Sequence, residues 1–215
     1  MLVGIDESGR GPVLGPMVVC AVAVADNNVE ELESLELKDS KKYTRSKREE
    51  LASILLTMLE CEYAEISPSS IDAQRCHKTL NDIEIDLFSQ VLTRFSHASM
   101  IIVDACDVDA IRFGKRLCTL CRVASVLSEH KADERYPIVS AASIIAKVRR
   151  DARIDELKTI YGDIGSGYPS DERTIAFLKE YIKNEGKLPP IARTSWLTSK
   201  NLLNDYFQRT LDIFL

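Results

Sequence analysis

The sequence predicts an α/β fold, a five-stranded mixed sheet flanked by helices, with a helical C-terminal extension. Three observations carry that expectation. Five short apolar or alternating runs, at 2–5, 17–24, 61–67, 100–105 and 123–127, have the length and pattern of strands. Segments with helical apolar spacing separate the later runs and dominate beyond residue 139. No repeat, low-complexity tract or linker-like stretch interrupts the chain. The expected organisation is a body over residues 1–185 with a helical extension over 186–215 packed on it.

LVGI (2–5) and MVVCAVAV (17–24) are joined by sequence too short and too rich in glycine and proline for a crossover helix. They are expected to be antiparallel neighbours. Over 46–59 the helical spacing places Leu51, Ile54, Leu55 and Met58 on one inward face. CEYAEIS (61–67) alternates as a third strand should. A short helix is expected from Ile71, and a longer one over 81–95 with Ile85, Phe88, Val91, Leu92 and Phe95 inward. MIIVDA (100–105) reads as a strand carrying an acid at its end, 108–117 as a helix, and VASVL (123–127) as the fifth strand. A long helix over 139–161 closes at Gly162, and the loop GSGYPSD (165–171) leads into a helix over 172–183. KLPPIARTSW separates that helix from a last amphipathic one starting at Thr198.

The chain of 215 residues is 45% hydrophobic, enough for a substantial core. Its longest apolar run, Met17–Ala25, is too short to span a bilayer, and no basic region precedes an apolar stretch at the N-terminus. The six cysteines are scattered rather than patterned as a secreted disulfide framework. A cytoplasmic protein without membrane association is expected. The formal net charge of −5 excludes a simple basic nucleic-acid binder. Two cationic clusters, KDSKKYTRSKR (38–48) and KVRRDAR (147–153), nevertheless read either as solvated faces or as a local phosphate track.

The stretch GIDESGRGPVLGP (4–16) sets glycines that suit phosphate beside two carboxylates that repel it. A nucleotide-binding P-loop is a poor match, because Arg10 stands in place of its lysine and Gly11 in place of its hydroxyl residue. Carboxylates can face phosphate when divalent cations lie between them, and carboxylate oxygen is the hard donor that Mg²⁺ prefers. Asp104 and Asp133 supply further acids at comparable places, the end of an apolar strand and the segment before the long helix. Each acid taken alone reads first as structural, Asp6 capping a turn, Asp104 ending a strand and Asp133 capping a helix. Neighbouring side chains of a regular strand point to opposite faces, so for Asp6 and Glu7 to share a site the strand must end or bulge there, and Gly9, Gly11 and Pro12 supply the break.

IDESGRGPVLGPMVV, LKDSKKYT (37–44), IIVDACDV (101–108) and EHKADERYPIVSAASIIAKVRRD (129–151), with GSGYPSD and RTSW, resemble ribonuclease HII, the type 2 ribonuclease H family, in its archaeal form. The resemblance implies a ribonuclease H-like fold and endonucleolytic cleavage of the RNA strand of RNA/DNA hybrids. It also implies incision at ribonucleotides embedded in duplex DNA, leaving a 5′-phosphate and a 3′-hydroxyl. Asp6, Glu7, Asp104 and Asp133 match the family's catalytic, metal-binding acids, with two Mg²⁺ or Mn²⁺ ions in the working complex. Gly9, Arg10 and Gly11 match the loop whose main chain reads the ribose 2′-hydroxyl. Tyr168 matches the tyrosine that packs on the sugar at the RNA-to-DNA junction, and Lys41 falls where the family contacts backbone phosphate. A monomer is expected, with a sliding clamp as a candidate partner. A non-catalytic hybrid-binding module and a DNA nuclease on the same fold are the alternatives, separated by strand scission and by its dependence on ribose.

Of the remaining residues, Cys118 and Cys121 in CTLC lack the second pair that structural zinc needs, and read as packing residues or as a disulfide. His130, three residues before Asp133, reads as a solvated loop histidine or as an aid to proton transfer. Trp196 is expected to dock the last helix, whose outer side carries Lys200, Asp205, Arg209 and Asp212.

Overall fold

The computed structural model describes residues 1–121 and 125–213, with side chains as far as residue 208 at the C-terminal end. Its strands are β1 (Leu2–Ser8), β2 (Met17–Val24), β3 (Glu60–Ile66), β4 (Met100–Asp104) and β5 (Val126–Glu129). Its helices are α1 (Val29–Ser34), α2 (Arg45–Met58), α3 (Pro68–Arg75), α4 (Leu80–Leu92), α5 (Ala110–Cys121), α6 (Pro137–Tyr161), α7 (Glu172–Glu185) and α8 (Leu197–Ile213). Two compact units make up the chain. Residues 1–8, 18–65 and 79–150 form the first, and 9–17, 66–78 and 151–215 the second.

The sheet runs in the order β3-β2-β1-β4-β5. β1 and β2 pair antiparallel, as the short connection requires, whereas β1–β4 and β4–β5 are parallel. Every residue of β2 is buried, which explains its unbroken apolar sequence. The first unit's core joins Val22, Val24, Leu51, Leu55 and Ile102 to Ile138, Val139, Ala142 and Ile145 of α6. The absence of a side chain at Gly4 permits this approach: a β-carbon there would lie 2.8 Å from the Val139 nitrogen. Val3 and Ile5, of opposite parity to Gly4 in β1, are wholly buried as well. Phe88 of α4 and Phe113 of α5 meet edge to face at 5.4 Å.

In the second unit Val13, Leu14, Ile154, Ile164, Leu178, Ile191 and Ala192 form a separate core. Trp196 and Leu202 pack against it, which is the docking role expected of that tryptophan. The loop before α7 is fixed by Gly165, at φ 66°, where a β-carbon would lie 2.8 Å from the Thr174 nitrogen.

Several boundaries differ from expectation for local reasons. α3 begins at Pro68 rather than Ile71, because Ser67 caps it and proline is already shaped for a first helical position. α5 continues to Cys121, carrying CTLC in its last turn, and both cysteines there are free thiols rather than a disulfide. Ile54 is 39% exposed, contrary to the inward face expected for it. Leu51, Ala52 and Leu55 take that face instead. The expected fifth strand includes residues 123 and 124, which lie outside the described residues, as do the side chains of Arg209 and Asp212. Among the described residues no helix is long and apolar enough to cross a membrane.

Candidate metal centre and sugar-reading loop

The first unit gathers acids from three separate stretches of chain. Ile5 pairs with Val103 across the parallel β1–β4 ladder, so the next residues, Asp6 and Asp104, extend from the same end of the sheet. Asp133 comes from the short 3-10 turn Ala132–Glu134 just before α6. That turn is tied to β4 because the amide of Ala132 donates to Asp104 Oδ1 at 2.8 Å. Lys131, in the left-handed region at φ 58°, supplies the bend.

β1 does not bulge at the two adjacent acids; it ends at Ser8, one residue beyond Glu7. Its antiparallel ladder continues regularly through Asp6↔Cys20, Glu7↔Val19 and Ser8↔Val18, and the change of direction comes at Gly9, φ 94°. The break expected from Gly9 is thus present, as a strand end rather than a bulge. Position at the carboxyl end of the parallel strands brings Asp6 and Asp104 together, and Glu7 still acts electrostatically on both.

Burial and crowding hold these carboxyls toward their neutral forms. Asp6 is 4% exposed, and its pKa is raised well above the usual value by burial first, then by Glu7 and Asp104. The Glu7 amide, at 2.7 Å, and the Ser143 hydroxyl donate to it in partial compensation. Asp104 is pushed up to about 6, chiefly by burial, with Asp133 and Glu7 adding to it against the Ala132 hydrogen bond. Asp133, 7% exposed, is also raised, again by burial first.

Lys41 is the cation that opposes this trend, lowering both Asp104 and Asp133. Its 3-10 turn, Ser40–Lys42, is fastened to α6. Ser40 Oγ lies 3.0 Å from Ser143 Oγ, and Ser140 Oγ donates to the Lys38 carbonyl at 2.8 Å. These α6 serines position a site lysine and an acid together. Sequence reasoning passed over them, although they stand in the quoted motif YPIVSAAS.

Among the described residues no three His, Cys, Asp or Glu side chains are already arranged to hold a metal ion. The donor set nonetheless fits a hard divalent cation. It is all carboxylate, three of its members are raised in pKa, and a bound cation would relieve the repulsion that raises them.

Other titratable groups nearby have structural roles. Asp107 is 2% exposed, and accepts from Arg112 at 2.6 Å and from the Asp109 amide at 3.1 Å beside the start of α5. The ring nitrogens of His130 each lie 3.3 Å from a backbone carbonyl, those of Ala105 and Val108. Three arginines of the basic cluster at 147–153 are engaged by the protein itself. Arg149 pairs with Glu65 and stacks on Tyr63, Arg150 is buried, and Arg153 pairs with Glu156.

The second unit holds the other expected residues. Gly9, Arg10 and Gly11 form a tight loop whose three carbonyls all accept from the RTSW segment. Arg193, wholly buried, donates to Gly9 O at 2.6 Å, to Arg10 O at 3.0 Å and to Gly15 O at 3.0 Å. Trp196 Nε1 donates to Gly11 O at 3.3 Å, and the Arg193 guanidinium lies 4.8 Å from the Trp196 ring centre. A β-carbon on Gly11 would lie 3.9 Å from the Tyr168 ring, so these two expected residues are close neighbours. The Tyr168 loop is held by Thr174, whose hydroxyl accepts from the Gly167 amide at 3.0 Å and donates to Ile164 O at 2.9 Å. Arg193 was missed from the sequence. Its signal was only its place in a resembling block, because a buried arginine cannot be told from a surface one by spacing.

A family description, Ribonuclease HII, matches residues 3–199. A Ribonuclease HII of Methanococcus maripaludis is 47% identical over 210 residues, covering 95% of this chain and 87% of that protein. Among solved structures, the PCNA:RNase HII complex from Archaeoglobus fulgidus superposes with a TM-score of 0.87 at 42% identity, covering 94% of this chain and 96% of that one. The ribonuclease H2 of Pyrococcus horikoshii OT3 gives 0.87 at 41% identity, covering 96% and 99%. Likeness of this extent, in sequence and fold alike and across nearly the whole chain, means that the chain belongs to the ribonuclease HII family and is an endonuclease of the ribonuclease H type.

Proposed function

We propose that the enzyme hydrolyses the RNA strand of RNA/DNA hybrids and incises duplex DNA at embedded ribonucleotides, leaving a 5′-phosphate and a 3′-hydroxyl. Asp6, Glu7, Asp104 and Asp133 would hold Mg²⁺ or Mn²⁺, two ions in the working complex. Such ions supply an activated water and stabilise the departing oxygen. Lys41 contributes a positive charge beside the acids, suited to a backbone phosphate. The main chain of Gly9, Arg10 and Gly11 reads the ribose 2′-hydroxyl, which can both donate and accept, and Tyr168 packs on the adjoining sugar. One observation carries this reading: three acids distant in sequence, Asp6 and Asp133 buried and Asp104 partly so, lie within electrostatic reach of a neighbouring acid, in a state that disfavours their charge. A protein that only bound hybrids would gain nothing from carboxylates facing phosphate.

The body over 1–185 is assigned the chemistry, and the extension over 186–215 the support of the sugar-reading loop through Arg193 and Trp196. A monomer acting in the cytoplasm with a sliding clamp as partner fits the same reading, since the Archaeoglobus fulgidus relative was solved with PCNA. The deciding experiment compares a duplex carrying one ribonucleotide with an all-DNA duplex, each with and without Mg²⁺. Cleavage confined to the ribonucleotide and to the metal-containing reaction is expected. Equal cleavage of both duplexes would make the enzyme a DNA nuclease, and binding without scission would make it a binding module.

A further inference from the structure

Asp72, on α3, takes four hydrogen bonds from one short segment. The amide and hydroxyl of Thr194 donate to one carboxylate oxygen at 2.6 and 2.7 Å. The amide and hydroxyl of Ser195 donate to the other at 3.0 and 2.6 Å. A carboxylate can accept on both oxygens at once, whereas an asparagine at this position would turn an NH₂ toward two of the four donors. The clamped segment follows Arg193 directly, and the Arg193 amide is itself fixed to Val13 O at 2.9 Å.

The consequence for the loop follows from peptide geometry. The peptide bonds here are trans, so each carbonyl and the next residue's amide point in opposite directions. Because the carbonyls of Gly9 and Arg10 turn toward the Arg193 guanidinium, the amides of Arg10 and Gly11 turn away from it. A sugar hydroxyl approaching the loop from the side away from Arg193 would meet these two amides.

We propose that Asp72 is a positioning residue for ribose recognition, pinning Thr194 and Ser195 so that Arg193 holds the amides of Arg10 and Gly11 in their reading orientation. The inference rests on the assignment of this loop to the 2′-hydroxyl. Arginine's planar fork is needed because three carbonyls are held at once, a task lysine's single ammonium performs poorly.

The test measures binding by fluorescence anisotropy in a cleavage-deficient Asp104→Asn background. Its readout is the ratio of Kd for an all-DNA duplex to Kd for the same duplex with one ribonucleotide. Asp72→Asn should lower this ratio about tenfold, less than the roughly hundredfold that a misplacement of about 1 Å can cost at an oriented contact. Arg193→Lys should lower it further, and Ser195→Ala, which removes a single hydroxyl bond, should lower it less and in the same direction. Gly11→Ala, whose added carbon fits the fold, is the control for the loop itself and should also lower the ratio. A thermal midpoint that falls in Asp72→Asn and Ser195→Ala while their ratios stay unchanged, with Gly11→Ala still lowering it, overturns the positioning role and leaves ribose reading intact. A ratio that Gly11→Ala also leaves unchanged removes the reading and the proposal together.

Discussion

The acid cluster of the first unit and the loop region of the second use the same side chain in opposite ways. Asp6, Asp104 and Asp133 are raised in pKa, each by burial first. At Asp72 burial also pushes upward, but the bonds from Ser195 and Thr194 outweigh it and leave the carboxyl lowered. Asp171 is held well below the ordinary carboxylate range by its bonds from Ser166. Asp72 and Asp171 are complete as they stand, and their charge is spent on local structure. Asp6, Asp104 and Asp133 carry more burial and crowding than their hydrogen bonds offset, so a partner of opposite charge would relieve them. The contrast supports the proposed site: a carboxylate whose neighbours leave its charge uncompensated is a candidate to hold a cation.

The largest test of that comparison is catalytic. Asp6→Asn and Asp104→Asn should each reduce turnover on a single-ribonucleotide duplex by about a thousandfold, the equivalent of about 4 kcal/mol of lost transition-state stabilisation. Single-turnover rates check this, and near-normal rates in either variant would break the assignment.

Gly4→Ala tests the packing beneath the acids. Its methyl would press on the Ile138–Val139 backbone of α6, destabilising the fold by about 3 kcal/mol as judged by urea denaturation. Thr174→Val tests the opposite region, where removing two buried hydrogen bonds should cost about 2 kcal/mol. A cost near zero would mean that the Tyr168 loop is held by something other than this hydroxyl.

Metal affinity, measured by titration calorimetry, should weaken by about tenfold for each pH unit below 6, because protons then compete for Asp104. Affinity independent of pH between 5 and 8 would place binding elsewhere. The smallest effect concerns stability without metal. Asp104 titrates at about 6 in the fold, against about 4 in an unfolded chain, so its ionisation opposes folding. The penalty is absent below pH 4, grows between 4 and 6, and is complete above 6. Asp104→Asn should therefore stabilise the metal-free protein at pH 8 by about 1 kcal/mol, allowing for solvent screening of a partly exposed group, and leave it unchanged at pH 3.5. The same variant would then lose activity while gaining stability, which is the comparison in its sharpest form.

Much of this molecule was legible from its residues alone. Apolar runs and helical spacing set the order of strands and helices, because burying one face is a local pattern that the chain writes directly. The short, glycine-rich link fixed the antiparallel β1–β2 pair, and the acids in their motif blocks fixed the chemistry to expect. Tertiary structure alone decided three things. Strand order put β4 beside β1, so that Asp104 stands next to Asp6 rather than merely ending a strand. Packing decided which cations are committed, burying Arg150 and pairing the partly exposed Arg149 and Arg153 with Glu65 and Glu156, while Lys41 stayed beside the acids. Contacts between residues more than a hundred positions apart decided the roles of Asp72, Ser143 and Arg193. The physical reason is the same in each case: a pattern along the chain specifies which face of an element is buried, but hydrogen bonds and charges act through space, and their partners exist only once distant elements have packed.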